Sequence, residues 1–370
     1  MKIGIITFHN SYNCGSMMQA FALLNAVSRM GHEVEIIDFS NKGQQELYSV
    51  FFKNRSLKDL VKNALILLCH KKVSRNFASY EAFKEKNFKL SPLKYSCCSE
   101  LSDERYDLVI AGSDQVWNIT IEDGDDAYFL PWAKKARRVA YAPSFGAKNI
   151  LEYSANPQRY ADYIKAFSAV SIREDNGRKW IEELAGLKVP VIIDPTLLLD
   201  QEDYDTIAST SLKLPEKYIF YYSPGYQAGI NNLVKSISRK YGLPVIAFNA
   251  KSYYTKAMFL SNVKLPELEN PSTYLQLIKH ATMVVTTSFH GTVFSSIYRK
   301  RFWVVKNGAM FITDDRVPTL VRSLDLEDRV IGIAFDPDFD YMQEKDYSKY
   351  EALLGKERQT AMDYLESALK

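Results

Sequence analysis

His290 lies in the stretch Thr286-Thr287-Ser288-Phe289-His290-Gly291-Thr292. An apolar run, Met283-Val284-Val285, precedes it, and Val293 to Tyr298 follows with helical spacing. The spacing predicts an imidazole where a strand ends and a helix begins. Open α/β sheets bind ligands there, because loops and helix N-termini converge at the carboxyl edge of the strands. The N–H groups of a helix start favour phosphate or carboxylate. A titratable ring beside them suits acid–base chemistry on a phosphorylated or acidic substrate. The competing reading is a histidine that only caps or packs the turn.

A positioned loop needs a scaffold, and the flanking sequence reads as α/β throughout. Lys2 to Phe8 is a strand and Asn10 to Ser16 a loop. Met17 to Arg29 has helical spacing that stops at Gly31, and Glu33 to Asp38 is the next strand. This is a βαβ unit of a parallel sheet. Residues 47–90 read as mostly helical. Further strands are expected at Tyr106–Ala111, Val139–Tyr141, Ala169–Ile172 and Val189–Ile193, each running into a polar loop. A second α/β pattern begins near Lys217, with strands at Tyr218–Tyr222, Pro244–Phe248, Met283–Val285 and Arg301–Val305. The tail from Tyr347 to Leu369 is a polar amphipathic helix. The expected division is 1–195, carrying a helical insertion at about 47–90, then 196–345, then a terminal helix over 346–370.

Length agrees with two domains, since 370 residues exceed one ordinary core. A net charge of +3 gives no case for nucleic acid. The four cysteines, Cys14, Cys69, Cys97 and Cys98, form no CxxC pair and fit free thiols in a reducing compartment. No apolar run approaches a membrane span, and the first strand is too short for a signal peptide. A cytoplasmic location is expected. Asp123, Asp125 and Asp126 lack the full spacing of a calcium loop, so no metal is expected.

Six segments carry a resemblance. They are Asn13 to Ala20, Gly112 to Asn118, Tyr141 to Gly146, Ser171 to Glu174, Asp194 to Leu198, and Ser288 to Thr292. In this order and spacing the chain resembles the polysaccharide pyruvyl transferase family, from the first strand to about residue 325. The resemblance implies two Rossmann-like domains facing across a cleft in a GT-B-like arrangement, with the C-terminal helix packing back. It implies a bacterial transferase of capsule or exopolysaccharide synthesis. Phosphoenolpyruvate would be donor, a sugar or lipid-linked oligosaccharide acceptor, and a pyruvate ketal the product, with no further cofactor. The acceptor side would be the first domain and the donor side the second. Two departures stand out. Some members carry Asp-Arg-Leu before the motif histidine, the Arg helping to hold the donor, where this chain has Thr287-Ser288-Phe289; Arg316 is the candidate replacement. Cys14 stands where Tyr is common.

The chemistry assigns roles on that basis. Phosphoenolpyruvate carries two anionic groups and needs cations, for which Arg is best shaped. Arg173 matches the family's donor-binding Arg, against a salt bridge to Glu174 or Asp175. With it the donor set is Ser288, Phe289, His290, Gly291, Thr292 and Arg316. His290 is the candidate proton donor or a phosphate binder. Asp114 and Glu174 are candidate bases, with Asp114 alternatively a helix cap. The acceptor set is Asn13, Gly15, Ser113, Asp114, Gln115 and Trp117, the last for stacking on a sugar or for packing. The runner-up enzyme is a GT-B glycosyltransferase using a nucleotide sugar, and the non-enzyme reading a sugar-binding relative. Finally, residues 51–75 place Leu60, Val61 and Ala64 to Leu68 among Lys58, Lys62, Lys71, Lys72 and Arg75. That pattern suits either peripheral contact with an anionic membrane or a packed helix with solvated ends.

Overall fold

The structure, a computed structural model, describes residues 1–209, 212–306 and 313–370. Two parallel six-stranded sheets form the frame. The first comprises β1 (Lys2–Ile6), β2 (Glu33–Phe39), β3 (Leu90–Tyr95), β4 (Leu108–Ala111), β5 (Arg137–Ala140) and β6 (Ala169–Val170), in the order β3-β2-β1-β4-β5-β6. The second comprises β7 (Ile219–Tyr222), β8 (Val245–Ala247), β9 (Val263–Lys264), β10 (Met283–Thr286), β11 (Phe302–Val305) and β12 (Val330–Ile331), in the order β12-β11-β10-β7-β8-β9. Both follow one doubly wound plan. Strand order reverses between β1 and β4 in the first sheet and between β7 and β10 in the second. Loops diverge at such switch points and leave a crevice.

The first helix, α1 (Cys14–Arg29), explains how the halves meet. It carries no charged residue before Arg29, and 13 of its 16 residues are buried. A helix apolar all round has no solvent face and must be enclosed. One side packs on the first sheet, while the helix Pro271–His280 of the second domain contacts it from the other. Asn13 caps α1, its side chain accepting from Gly15 N at 2.9 Å and Ser16 N at 3.4 Å.

The insertion also bridges the halves. Its helices are Lys42–Leu47, Leu57–Leu67 and His70–Asn87. Asn76 Nδ2 donates to Glu269 Oε2 at 2.8 Å and Asn270 Nδ2 to Ser79 Oγ at 2.6 Å. The terminal helix Ser348–Leu369 returns to the first domain. There Tyr364 OH donates to Ala140 O at 2.8 Å and Arg137 Nη2 to Leu369 O at 2.8 Å. Among the described residues no helix is long and apolar enough to cross a membrane.

One expectation needs correction. Val189–Ile193 is not a strand of the sheet, since only Val191 bridges, to Ile172. The insertion gives way to β3, an edge strand carrying Pro92; edges tolerate a residue with no N–H to donate.

Candidate functional site

Four strand ends build one cleft. The loops after β1, β4, β7 and β10 contribute Asn13 and Ser16, Asp114 and Gln115, Tyr222 to Gly225, and Thr287 to His290. Arg316 and Asp314 close another side. The water-accessible interior is about 570 Å³, in the range of small-molecule sites.

His290 lies in the first turn of the helix Phe289–Ile297, capped by the Ser288 hydroxyl, which accepts from Gly291 N at 3.3 Å. By helical geometry the N–H groups of Phe289 and His290 have no intrahelical partner. The opposing wall is α1, and the approach is close. A Cβ on Gly15 would sit 2.1 Å from His290 Nδ1. Position 15 therefore has no room for a side chain. Gly291 likewise lets its helix approach β10, since a Cβ there would meet Thr286 Oγ1 at 2.2 Å.

Beneath the histidine lies a buried ion cluster. Arg173 Nη1 donates to Asp194 Oδ2 at 2.6 Å, and Arg173 Nη2 stands 3.5 Å from Asp114 Oδ1. Asp194 Oδ2 is 3.6 Å from His290 Nε2, which has no hydrogen-bond partner. Asp194 Oδ1 accepts from Thr196 N at 3.0 Å and Thr196 Oγ1 at 2.6 Å. The Phe289 ring covers the Arg173 guanidinium at 4.6 Å and meets the imidazole edge-on at 5.1 Å.

Charge sets the protonation states. Burial alone would raise Asp194, but His290 and Arg173 pull it well below the usual carboxylate range. Asp114 is lowered in the same way, with burial overcome by Arg173 and His290 and by the Ser16 hydroxyl, which donates to its Oδ2 at 2.6 Å. Glu174 goes the other way. Burial pushes it up to about 7 against Arg173 and Arg316. Its Oε1 accepts from Phe145 N at 2.9 Å and its Oε2 is unpartnered.

The structure separates the residues singled out from sequence. Ser288, Phe289, His290, Arg316, Asn13, Asp114 and Gln115 line the cleft. Arg173, Glu174, Gly15, Ser113, Gly291 and Thr292 lie behind its surface. Arg173 meets Asp194 and Asp114, not Glu174 or Asp175. Asp114 is no helix cap, because no helix follows it. It holds a φ of 75°, and its Oδ1 accepts from Gln115 N at 2.9 Å. Trp117 is not a sugar platform. It is 0% exposed and stacked on Phe129 at 5.3 Å, with its indole N–H donated to Tyr128 O at 3.2 Å. Arg316 donates from Nε to Asp314 Oδ1 at 2.8 Å and from Nη2 to Oδ2, which leaves Nη1 unused among the described residues. Sequence reasoning gives no role to Asp194, Ser16 or Asp314. Asp194 opens one of the six resembling segments, yet nothing in its neighbours shows that it meets Arg173, 21 residues earlier. Among the described residues no three His, Cys, Asp or Glu side chains gather as metal ligands would.

The family model for polysaccharide pyruvyl transferase matches residues 13–308. No curated protein sequence matches the chain. Among solved structures, the UDP-GlcNAc 2-epimerase of Neisseria meningitidis bound to UDP-GlcNAc is similar, at 10% identity and a TM-score of 0.55, over 99% of this chain and 100% of that one. The UDP-N-acetylglucosamine 2-epimerase of Rickettsia bellii is similar at 10% identity and a TM-score of 0.53, over 99% and 96%. At such identity the likeness is one of fold, two Rossmann-like domains about a cleft in the GT-B manner. The matched segment starts at the Asn13 cap and runs beyond the His290 helix, so the chain belongs to the polysaccharide pyruvyl transferase family.

Proposed function

We propose that this transferase moves the pyruvyl group of phosphoenolpyruvate onto a sugar of a surface polysaccharide or its precursor, forming a pyruvate ketal. One observation carries the reading. The His290 imidazole, the open first turn of its helix and the Arg316 guanidinium line one cleft. That combination suits a small dianion that must be protonated. In the reaction, a proton adds to C3 of the enol phosphate and leaves C2 electron-poor. An acceptor hydroxyl attacks C2 and loses its proton to a base. The C2–O bond to phosphate breaks, and a second hydroxyl closes the ketal with loss of its own proton. His290 is the proposed donor of the first proton. Asp114, held ionised at the cleft surface, is the base for the acceptor. Arg173 keeps Asp194 ionised beneath the imidazole and acts as a positioning residue. Arg316 takes the place of the Arg absent before His290 and contacts the donor's anions. Calorimetry should show phosphoenolpyruvate binding that Arg316→Ala weakens. Tight binding of a nucleotide sugar, with none of phosphoenolpyruvate, would assign the cleft to glycosyl transfer instead.

We also propose cytoplasmic work at the inner face of the membrane. The helix Leu57–Leu67 turns its apolar stripe outward. Leu57 is 81% exposed, Val61 63% and Leu68 77%, with Leu60, Ala64 and Leu67 on the same side. This is the opposite of a packed core helix. Burying such a side chain is worth roughly 1.5–3 kcal/mol. Lys58 and Lys71 stand exposed beside the stripe, whereas Lys72 and Arg75 turn onto the carbonyls of Pro266 and Glu267 and belong to the domain bridge. The protein should float with phosphatidylglycerol-containing vesicles in a salt-sensitive way. Lys58→Glu with Lys71→Glu should reduce flotation. Unchanged flotation, or a concentration-dependent dimer lost in Leu60→Ser with Leu67→Ser, would remove the membrane and make the stripe a contact between copies.

A further inference from the structure

A second pocket opens off the cleft where the insertion meets the second domain. It shares Asn13, Tyr48, Tyr222 and Pro224 with the cleft. Its space open to water is about 120 Å³. A single water needs only on the order of 10–15 Å³. Its walls are aromatic. Tyr12 packs on Phe77 at 4.4 Å and on Tyr80 at 5.5 Å, and Tyr222 meets Phe248 at 6.1 Å.

Glu269 forms part of the wall and is 4% exposed. Its Oε2 is satisfied twice, by Asn76 Nδ2 at 2.8 Å and by Ala250 N at 2.8 Å. Its Oε1 is buried and has no partner. An unpaired buried carboxylate oxygen is costly, and no group among the described residues relieves it. Nearby cations are otherwise engaged. Lys251 Nζ donates to Ser49 O at 2.7 Å and stands 4.0 Å over the Phe52 ring, and Lys72 Nζ holds Pro266 O at 2.6 Å. Two other polar side chains of the wall are also paired. The Cys14 thiol lies 3.1 Å from Tyr80 OH, and Asn249 caps the helix that follows it. The pocket is thus lined by aromatic rings and by Glu269, whose buried Oε1 is unpaired.

We propose that this pocket is an accessory saccharide subsite, which holds the unit of the acceptor next to the one that receives the pyruvyl group. Aromatic faces take the C–H face of a pyranose, and Oε1 takes a hydroxyl or N–H of the same ring. The shared wall puts the pocket and the cleft side by side, as neighbouring sugars of one acceptor require. Burial pushes Glu269 up to about 7, and a wall of rings and amide N–H groups fits a neutral partner rather than an ammonium. The inference rests on the reading that the cleft admits a saccharide acceptor.

Saturation-transfer NMR with the methyl glycosides of galactose, mannose and N-acetylglucosamine tests it, with phosphoenolpyruvate calorimetry on the same samples. Glu269→Gln keeps an oxygen for Asn76 and Ala250 and replaces the free acceptor with a donor. At least one glycoside should bind the wild type and weaken about tenfold in that variant, in line with one lost hydrogen bond. Phe77→Leu, which leaves every Glu269 bond in place, should weaken the same glycoside. Phosphoenolpyruvate binding should be unchanged in both variants. Glycoside binding equal to wild type in both variants, or no glycoside binding to the wild type, overturns the subsite. Glycoside binding that depends on Glu269 without any phosphoenolpyruvate binding supports the subsite and overturns the pyruvyl reading.

Discussion

Asp194 and Glu269 are both buried carboxylates flanking the start of α1, and they end in opposite states. Asp194 faces a guanidinium at 2.6 Å and an imidazole at 3.6 Å, and stays ionised although fully enclosed. Glu269 meets mainly amide N–H groups, with Lys72 a secondary influence, and burial drives it up to about 7. The difference is one of company, since desolvation penalises both and only an adjacent cation reverses it. It also divides the labour of the cleft. The Asp194 side is built around charge and suits an anionic donor that must be protonated. The Glu269 side is built around rings and one acceptor, and suits a neutral sugar.

The largest effect should come from the charged side. His290→Gln keeps one hydrogen-bonding group but supplies no proton, so turnover should fall about 10²–10⁴-fold. Melting should change less than turnover, because Arg173 remains as the main partner of Asp194. Arg316→Ala should instead raise the donor concentration needed for half-saturation, as expected when a ground-state anion contact is removed. Near-normal turnover in His290→Gln, on the true acceptor, would reduce the histidine to a packing group and erase the contrast between the sides.

Next is the ion cluster itself. Asp194→Asn leaves the Arg173 guanidinium buried without its main counter-charge. Breaking such a pair costs about 3–5 kcal/mol. Urea unfolding should show a loss of that size, and a loss under about 1 kcal/mol would mean that Asp114 alone balances Arg173. Gly15→Ala acts on the same side through sterics. Its Cβ would enter the His290 ring, so the imidazole must move. A misplacement of about 1 Å can cost on the order of 100-fold in rate. Full activity in Gly15→Ala would show that the two walls separate during turnover.

Legibility divides unevenly between the two regions. The charged side announces itself in sequence because its parts end strands: Asp114 after β4, Arg173 after β6 and His290 after β10. Strand ends are where apolar runs stop, and that is visible locally. What each side chain does there is not visible. Arg173 turns inward because Asp194, from a segment with no sheet strand of its own, meets it from behind. Trp117 follows Asp114 closely yet points into the aromatic core, since the chain turns at Asp114 in a left-handed conformation instead of entering a helix. The Glu269 side is silent in sequence. Its walls come from the insertion, α1 and the second domain, and no local pattern joins Phe77, Cys14 and Glu269. The outward stripe of Leu57–Leu67 is legible as a pattern, but its direction depends on tertiary packing through Ile66 and Cys69.

The smallest effect should distinguish the sides by pH. Glu269 is raised from its usual 4.5 to about 7, so the folded state holds its proton more tightly than the unfolded chain. Its contribution to stability is fully present below about 4.5 and is lost as pH rises through about 7. Asp194 is lowered, so its contribution is present above the usual 3.8 and is lost only as pH falls below that. Unfolding free energies measured against pH should therefore show two separate windows. The difference between wild type and Glu269→Gln should shrink by roughly 1–3 kcal/mol between pH 4.5 and 7, because a tenfold change in proton affinity is worth about 1.4 kcal/mol. The difference between wild type and Asp194→Asn should stay level across that range and narrow only under acid. A flat Glu269 difference would mean that Oε1 finds water or Lys72 in solution, and the two carboxylates would then differ in position but not in state.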